Sequence, residues 1–319
     1  MKTIQLGGIH HLTAVTADAA GNHAFYTKIL GMRLVKKTVN QDDVSAYHLF
    51  YADGVAAPGT DLTFFEWPVP REQRGTHSIV RTGLRVSGGG SIDWWSAHLS
   101  QMKIRHNGAS VRDGRRTIDL EDPEGQRLSL IEDLGAGASH PWSGSPVPAE
   151  RQILGLGPIS LSVPDLEPTE AVLTEVLEMR RVREFKASGD LGGTSVHVFD
   201  MGGGSPASEI HVLVEPGARP ARMGAGGVHH VAFRTPDQQQ YKEWAARLER
   251  MGMSSSGPVD RYYFKSLYFR EPNGVLFEIA TDGPGFAVDE PADSLGQKLA
   301  LPPFLEGRRR EIEGGLKPI

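Results

Sequence analysis

The chain has 319 residues, with 34 Lys and Arg against 39 Asp and Glu, so that its formal net charge is −5, and it contains no Cys. This length is enough for about two domains. The excess of acidic residues argues against a non-specific nucleic-acid binder. The lack of Cys excludes disulfides, thiolate metal sites and thiol nucleophiles. No apolar run is long enough to span a bilayer, and no signal peptide is visible. The sequence therefore predicts a cytoplasmic protein without membrane or nucleic-acid partners.

The first half of the chain contains two similar units, each predicted as a strand, a helix and further strands. In the first unit, residues 8–15 are predicted as a strand and residues 19–30 as a helix. The second unit begins near residue 79 and has a predicted helix at residues 94–102. It then turns at Asp122-Pro123-Glu124-Gly125, where Pro and Gly are typical of a turn.

The second half repeats this plan. A strand at residues 156–163 aligns with the first strand when Val163 is placed on Val15, and a helix is predicted at residues 170–177. The fourth unit begins with a strand at residues 227–233, followed by a helix at residues 241–251. Further strands are predicted at residues 262–268 and 275–279.

Four βαβββ units make an α+β fold of two open, curved, mixed sheets, each concave enough to hold a ligand or a metal. We expect residues 1–135 to hold the first pair of units and residues 151–283 the second pair. Residues 136–150, rich in Pro, Ser and Gly, are predicted as the linker, and residues 284–319 as a C-terminal tail.

Two His-His pairs begin matching strands, His10-His11 and His229-His230, and one carboxylate, Glu278, lies inside the last strand. Because neighbouring side chains of a strand point to opposite faces, we expect His11 and His230 to face one cavity and their preceding histidines to point away. A carboxylate inside a buried strand is costly unless it is paired or bound to a cation. The three side chains match a two-His, one-carboxylate metal site, which leaves three coordination positions for O₂ and a chelating substrate.

The second and third units lack these ligands. The corresponding positions carry Ile159, approximately Val80, and Ser129. We therefore expect the first and fourth units to pack together around one metal, and the other two units to form a structural half. The residues leave one alternative open, in which both histidines are hydrogen-bonded core residues and the carboxylate pairs with an arginine such as Arg261.

Six segments carry a recognisable pattern: Gly8-Ile9-His10-His11-Leu12-Thr13, His48-Leu49-Phe50-Tyr51-Ala52-Asp53, Pro58-Gly59-Thr60, Gly227-Val228-His229-His230, Tyr268-Phe269-Arg270-Glu271-Pro272 and Phe277-Glu278-Ile279-Ala280. The repeat resembles the vicinal oxygen chelate superfamily, which includes glyoxalase I, extradiol dioxygenases and fosfomycin-resistance proteins. The segments more closely resemble ring-cleaving dioxygenases acting on hydroquinones, such as 2,6-dichlorohydroquinone dioxygenase, and their hydroquinone-stress relatives in bacteria. The similarity covers nearly the whole chain, including the tail around residues 289–299.

The resemblance implies Fe²⁺ held by the same two histidines and glutamate, with Mn²⁺ or another divalent metal as the alternative. It also implies supporting or catalytic roles for five residues near the metal: His10, Thr13, His229, Arg261 and Tyr268. One position departs from the chlorohydroquinone enzyme, whose substrate-side histidine in the third unit falls at about Gly157 here. The natural substrate therefore stays open.

The residues themselves leave two of these roles undecided. Tyr268 is either a hydrogen-bond donor to a developing oxyanion or an ordinary cavity wall. Arg261 either pairs with Glu278, holds an anionic substrate, or lies at the surface. Eight further histidines show no metal-ligand spacing: His23, His48, His77, His98, His106, His140, His197 and His211.

The sequence thus predicts an Fe(II)-dependent, extradiol-type dioxygenase of aromatic catabolism that cleaves a hydroquinone- or catechol-like ring with O₂. One alternative is a glyoxalase-like metal-dependent isomerase or lyase, in which the metal acts as a Lewis acid. Another is a non-catalytic, ligand-binding member of the superfamily. Two histidines and one carboxylate favour redox iron. A homo-oligomer stays open as well.

Overall fold

The computed structural model describes residues 4–135, 137, 139–187 and 192–319. The strands of this part of the chain are β1 (Ile9–Thr16), β2 (Arg33–Val39), β3 (Tyr47–Ala52), β4 (Asp61–Glu66), β5 (Ser78–Ser87), β6 (His106–Arg112), β7 (Arg115–Glu121), β8 (Arg127–Asp133), β9 (Gly155–Val163), β10 (Arg180–Lys186), β11 (Ser195–Asp200), β12 (Glu209–Val214), β13 (Val228–Thr235), β14 (Val259–Asp260), β15 (Lys265–Arg270) and β16 (Leu276–Thr281). The α-helices are α1 (Ala19–Ala24), α2 (Ser91–Gln101), α3 (Leu166–Ala171), α4 (Gln238–Arg250) and α5 (Arg309–Gly315).

The strands form two mixed, eight-stranded sheets. The first has the order β14-β15-β16-β13-β1-β4-β3-β2, and the second has the order β10-β11-β12-β9-β5-β8-β7-β6. The first and fourth units therefore share one sheet and the second and third units share the other, as predicted. The predicted fold class of four units in two curved, mixed sheets is confirmed. The domain boundaries at residues 135, 150 and 283 stay a prediction.

Three of the described helices, α1, α3 and α4, begin after an aspartate whose side chain caps them. The side chain of Asp18 accepts a hydrogen bond from the Gly21 amide at 3.0 Å, and that of Asp237 accepts one from the Gln240 amide at 2.9 Å. Such caps satisfy amides of the first helical turn that have no partner within the helix. The cap at Asp237 makes α4 begin three residues before the predicted start at residue 241. After α1 and α3 the chain continues as a π-helical turn.

One continuous apolar core joins the two sheets to the helices. It includes side chains from alternate positions of the central strands, such as Leu12 and Ile159, and the indoles of Trp95 and Trp244. All four are 0 % exposed. Because strand side chains alternate, the opposite face of each sheet is left to line a cavity.

Two β-bulges interrupt the ladder between β1 and β13. Ile9 pairs with Phe233 and His11 with Ala232, so His10 is an extra residue in β1. Thr13 pairs with His230 and Ala14 with Val228, so His229 is an extra residue in β13. A bulge redirects the side chains beside it. His10 and His229 are not among the described residues that line the cavity of His11 and His230, as the alternation of side chains predicts, but the bulges bring each of them against the neighbouring ligand histidine.

The second sheet also has two β-bulges, in the ladder between β5 and β9. They shift by one residue the positions predicted to correspond to His230 and His11. Ser129 pairs with Gly83 as Glu278 pairs with Ala232. Gly83 therefore corresponds to Ala232. Because His230 lies two residues before Ala232, the residue that corresponds to it is Arg81, two residues before Gly83, rather than Val80. Ile159 belongs to the core, so the neighbouring Pro158, which lines a cavity of this sheet, takes the position of His11.

The C-terminal tail is attached to the first sheet through a buried ion pair. Lys36 on β2 is 0 % exposed, and its ammonium group lies 2.7 Å from Asp289 and also binds Glu290. Leu299 bridges to Lys37 farther along. Within the described residues, no helix combines the length and apolarity that a membrane crossing requires.

Candidate metal centre

Three side chains from three adjacent strands meet on the concave face of the first sheet. His11 Nε2 lies 3.2 Å from Glu278 Oε2, His230 Nε2 lies 2.8 Å from the same oxygen, and the two Nε2 atoms are 3.3 Å apart. All three residues are buried, with 3 %, 3 % and 0 % of their surface exposed. The structure thus brings together the three residues that the sequence predicts as metal ligands, and we call them the triad.

His10 fixes the protonation of His11 through one hydrogen bond. His10 Nε2 lies 3.1 Å from the carbonyl oxygen of Thr281, which can only accept, so this nitrogen carries the proton. Burial lowers the pKa of His10 to about 3, and the charge of His11 adds to this effect, so His10 is neutral. Its Nδ1 must then accept a proton from His11 Nδ1, 2.9 Å away. His11 Nε2 is consequently left with a free lone pair that faces Glu278.

His229 contacts His230 through the same pair of ring nitrogens. The two Nδ1 atoms are 2.7 Å apart, and burial, followed by the charge of His230, lowers the pKa of His229 to about 3. The ring of His229 lies against Phe65 and Trp67, at centroid distances of 5.7 and 5.6 Å. The matching contacts follow from the matching bulges.

The triad fits a metal ion. An octahedral metal with bonds of about 2.1 Å holds ligand atoms of one face about 3 Å apart, which is the spacing of the three ligand atoms here. Neither carboxylate oxygen of Glu278 accepts a hydrogen bond from a described residue. Burial alone would raise the pKa of Glu278, whereas positive charge on His11 and His230 would hold it well below its ordinary range. A divalent cation between the three side chains would supply that positive charge when the imidazoles are neutral and present their lone pairs.

The triad opens into a cavity. Its walls include the aromatic rings of Phe50, Phe65 and Phe264, and His11 and His230 also line it. Flat apolar walls around a few polar groups are typical of sites for aromatic rings.

Thr13 and a histidine that sequence analysis missed are linked across this cavity. Thr13 Oγ1 lies 2.8 Å from Thr63 Oγ1, which lies 3.0 Å from Nε2 of His48. Burial lowers the pKa of His48 well below its ordinary value, and the charges of His11 and His230 lower it further. His48 has no metal-ligand spacing in the sequence, as noted above. Its position between Phe50 and Phe65 could be inferred only from strand pairing.

Arg261 and Tyr268 lie at the mouth of the cavity. The Arg261 guanidinium forms a bidentate ion pair with Asp42, at 3.1 and 2.9 Å, and lies 5.6 Å from the centre of the Tyr268 ring. Tyr268 is directly opposite Glu278 in the ladder of β15 and β16 and packs edge-on against His230. Arg261 therefore pairs with Asp42, a partner that the sequence did not suggest.

Gly157 lies outside this site. It belongs to β9 in the second sheet, where it packs against the backbone of Pro206, and it is not among the described residues that line the triad cavity. A histidine at this position would therefore not line the cavity beside the triad.

The profile of one protein family, the glyoxalase/bleomycin resistance protein/dioxygenase superfamily, matches residues 8–130 and 155–279 of the chain. The chain is 49 % identical to MhqA of Bacillus subtilis (strain 168), named as a candidate ring-cleaving dioxygenase, over 99 % of this chain and 100 % of that protein. It is 31 % identical to the chlorohydroquinone/hydroquinone 1,2-dioxygenase of Sphingobium indicum, over 96 % of this chain and 94 % of the relative.

Solved structures agree on the fold. A crystal structure titled as that of a candidate dioxygenase from Bacillus subtilis superposes with a TM-score of 0.90 and 33 % identity, over 99 % of this chain and 98 % of the other. Glyoxalase I from Zea mays superposes with a TM-score of 0.64 and 16 % identity, over 86 % and 92 % of the two chains, a likeness of fold alone.

Proposed function

Because this chain belongs to the glyoxalase/bleomycin resistance protein/dioxygenase superfamily, we propose that it is a ring-cleaving dioxygenase that uses O₂ to open a hydroquinone- or catechol-like ring in an extradiol-type reaction. The observation that carries the proposal is the meeting of two imidazole nitrogens and one carboxylate oxygen at the floor of an aromatic-walled cavity. The relatives in Bacillus subtilis and Sphingobium indicum are named as ring-cleaving and hydroquinone dioxygenases, which supports the same class of reaction.

We assign the metal as Fe²⁺, with Mn²⁺ or another divalent ion as the alternative, held by His11, His230 and Glu278. When bound, a redox-active ion with three open coordination positions would accept the substrate oxygen and O₂ side by side and carry electrons between them. Two neutral ligands and one carboxylate also leave a positive charge at the centre, which favours binding of the substrate as a phenolate.

The residues around the triad orient and protect it. His10 and His229 hold the two ligand imidazoles in the tautomer that presents Nε2, an arrangement that fixes ring orientation and strengthens a metal ligand. Phe50, Phe65 and Phe264 would contact the faces of the substrate ring and keep water away from the centre.

Tyr268 and Arg261 supply polar groups beside the triad, because Tyr268 lies opposite Glu278 in the strand ladder and packs against His230. Burial raises the pKa of Tyr268, and the charge of Glu278 raises it further, so its hydroxyl keeps its proton at neutral pH. It can therefore donate a hydrogen bond to a substrate oxygen as negative charge develops there. The Arg261 guanidinium packs against the Tyr268 ring and is held there by its ion pair with Asp42, so it positions the tyrosine.

Oxygen consumption tests the proposal. Protein loaded with Fe²⁺ under anaerobic conditions is mixed with O₂ and with a panel of hydroquinones and catechols, while the product is followed by mass spectrometry. We expect O₂ uptake matched by a product that has gained both oxygen atoms and lost its aromatic absorbance. His11→Ala should abolish uptake, whereas His106→Asn, a histidine on β6 in the other sheet, should leave it unchanged.

Iron content must be measured together with O₂ uptake. Protein that holds stoichiometric iron but consumes no O₂ with any member of the panel would overturn the dioxygenase assignment. Conversion of a hemithioacetal without O₂ would then indicate the isomerase alternative.

A further inference from the structure

The triad cavity has a second polar end, formed by Thr38 on β2 and His48 on β3. These two residues lie directly opposite each other in the antiparallel ladder of β2 and β3, and both line the cavity. β4 lies between β1, which carries His11, and β3, and His48 is also offset along the strands, since it lies opposite Phe65 whereas His11 lies opposite Asp61. Contacts of 2.8 Å from Thr13 to Thr63 and 3.0 Å from Thr63 to His48 join this end to the strand that carries His11.

The hydroxyl of Thr38 is buried beside the hydroxyl of Tyr263, and the two form no hydrogen bond of standard geometry. Thr38 is 2 % exposed, and its Oγ1 has no hydrogen-bond partner among the described residues. The neighbouring Tyr263 hydroxyl donates its proton to Asp289 at 2.9 Å, so that proton is not available to Thr38. Buried hydroxyls are almost always hydrogen-bonded, and an exception calls for an explanation. A bound ligand would supply the missing partner.

His48 offers the complementary group. Its Nε2 is engaged with Thr63 at 3.0 Å, which leaves Nδ1 as the nitrogen available to the cavity. The ring is held between Phe50 and Phe65, at centroid distances of 4.0 and 4.4 Å. A neutral imidazole has one donor and one acceptor nitrogen. With Nε2–H donating to Thr63, Nδ1 accepts.

An acceptor beside a donor is the pair that binds a hydroxyl group, which donates one hydrogen bond and accepts another. A ligand hydroxyl placed here would donate to His48 Nδ1 and accept from Thr38 Oγ1. The two oxygens of a para-diol lie at opposite ends of its ring, whereas those of an ortho-diol lie on adjacent carbons and both reach the metal. Only the para isomer can present one oxygen at each end of this cavity.

We propose that Thr38 and His48 bind the second hydroxyl of a para-diol whose first oxygen lies at the triad, and that they select hydroquinones over catechols. This inference rests on the proposed function for the identity of the reaction, but it concerns binding, which can be measured without turnover. A site that is built to hydrogen-bond a substrate hydroxyl rejects analogues that lack it.

The test is a set of anaerobic titrations of the Fe²⁺-loaded protein with hydroquinone, 4-methylphenol and catechol, followed by calorimetry. 4-Methylphenol has the size of hydroquinone but replaces the second hydroxyl with a methyl group. We expect Thr38→Val, which removes one hydroxyl at constant shape, to weaken hydroquinone binding about ten-fold. The affinities for 4-methylphenol and catechol should not change. His48→Phe should reproduce this pattern.

Thr235→Val is the matched control, because Thr235 is a buried threonine of the same sheet whose hydroxyl also lacks a partner among the described residues, but it does not line the cavity. It should bind all three compounds like the unchanged protein. The proposal is overturned if Thr38→Val weakens all three compounds equally, or if it leaves hydroquinone binding unchanged.

The titrations also separate this inference from the proposed function. Selective loss of hydroquinone affinity in protein that never consumes O₂ would retain the hydroxyl site and reject the dioxygenase. If Thr38→Val and His48→Phe change neither the rate of ring cleavage nor hydroquinone binding, the dioxygenase assignment stands and the proposed hydroxyl site is wrong.

Discussion

His10 and His229 each act on a candidate ligand through a single Nδ1–Nδ1 contact, at 2.9 and 2.7 Å. His10 is itself anchored by the Thr281 carbonyl, so the proton positions of this pair follow from geometry. Partners of this kind raise the basicity of a metal ligand and fix its ring orientation. Their effect should therefore be seen in metal affinity before it is seen in catalysis.

We expect His10→Phe, which keeps an aromatic ring but removes the acceptor, to weaken Fe²⁺ or Co²⁺ binding by about ten- to a hundred-fold. Equilibrium dialysis against a metal-buffered solution measures this. His106→Asn should retain full affinity. Equal affinities of the two variants would show that His10 has only a packing role.

Tyr268→Phe should lower the rate of ring opening without changing the affinity for substrate or metal. The change removes the hydroxyl and leaves the ring that packs against His230 at a centroid distance of 5.6 Å. We expect kcat for ring opening to fall about a hundred-fold, with metal content and substrate affinity preserved. Rapid-mixing kinetics and anaerobic titration measure the two quantities. A loss of metal with no further loss of kcat per bound iron would contradict the proposed role.

Sequence reasoning could select the triad because histidine pairs and a lone buried carboxylate are unusual in matching strands. It could not find Asp42, Thr38 or the role of His48, because each depends on which strands and loops become neighbours. Asp42 lies in the loop between β2 and β3, far along the chain from the Arg261 that it binds.

At the scale of elements, the bulges at His10 and His229 set the geometry of the site. The repeat of strand, helix and strands is visible in the sequence because its hydrophobic periodicity and turn residues recur. A bulge has no comparable signal, since one extra residue changes neither composition nor average periodicity. One-residue errors at Ile159 and Val80 are the direct consequence, because a slip of one residue exchanges the two faces of a strand.

The second sheet replaces the triad with ion pairs, and Glu209 on β12 is central to them. It accepts two hydrogen bonds from Arg115, both of 2.8 Å, and another from Arg183 at 2.8 Å. Burial alone would raise the pKa of Glu209, but hydrogen bonds from His211 and from these two arginines hold it well below its ordinary value. The stabilisation is present above the ordinary carboxylate pKa and is lost as the pH falls, because the unfolded chain takes up the proton first.

Glu209→Gln should therefore lower the free energy of unfolding by about 3 kcal/mol at pH 7, and the difference from the unchanged protein should shrink as the pH falls below about 4.5. Urea unfolding at a series of pH values measures this. Glu121→Gln removes a more exposed partner of Arg74 and should cost less than about 1 kcal/mol. A pH-independent difference for Glu209→Gln would contradict the ion-pair explanation.

At the scale of the whole molecule, the C-terminal tail completes the first sheet. Asp289 binds both the buried Lys36 ammonium and the Tyr263 hydroxyl, and Lys36 also lies 4.7 Å from the centre of the Tyr263 ring. Tyr263 lines the triad cavity. The tail thus supports a wall of the site as well as covering β2.

Removal of residues 284–319 should leave the Lys36 charge buried without its partners and lower the free energy of unfolding by at least about 3–5 kcal/mol. Lys36→Met should restore part of this loss in the truncated protein and destabilise the full chain. Urea unfolding of the four proteins forms a double-mutant cycle. An equal effect of Lys36→Met in both backgrounds would show that the tail does not act through this ion pair.

The pairing of the first unit with the fourth has a consequence for biosynthesis. His11 is translated well before Glu278, because 267 positions separate the two residues in the chain (278 − 11). The first sheet cannot form its central β1–β13 ladder until both are available, and contacts between such distant segments form slowly. Until then β1 exposes an unpaired edge to other nascent chains. The candidate metal centre therefore cannot form before Glu278 has been translated, and a ribosome that stalls before residue 278 releases two histidines without their carboxylate.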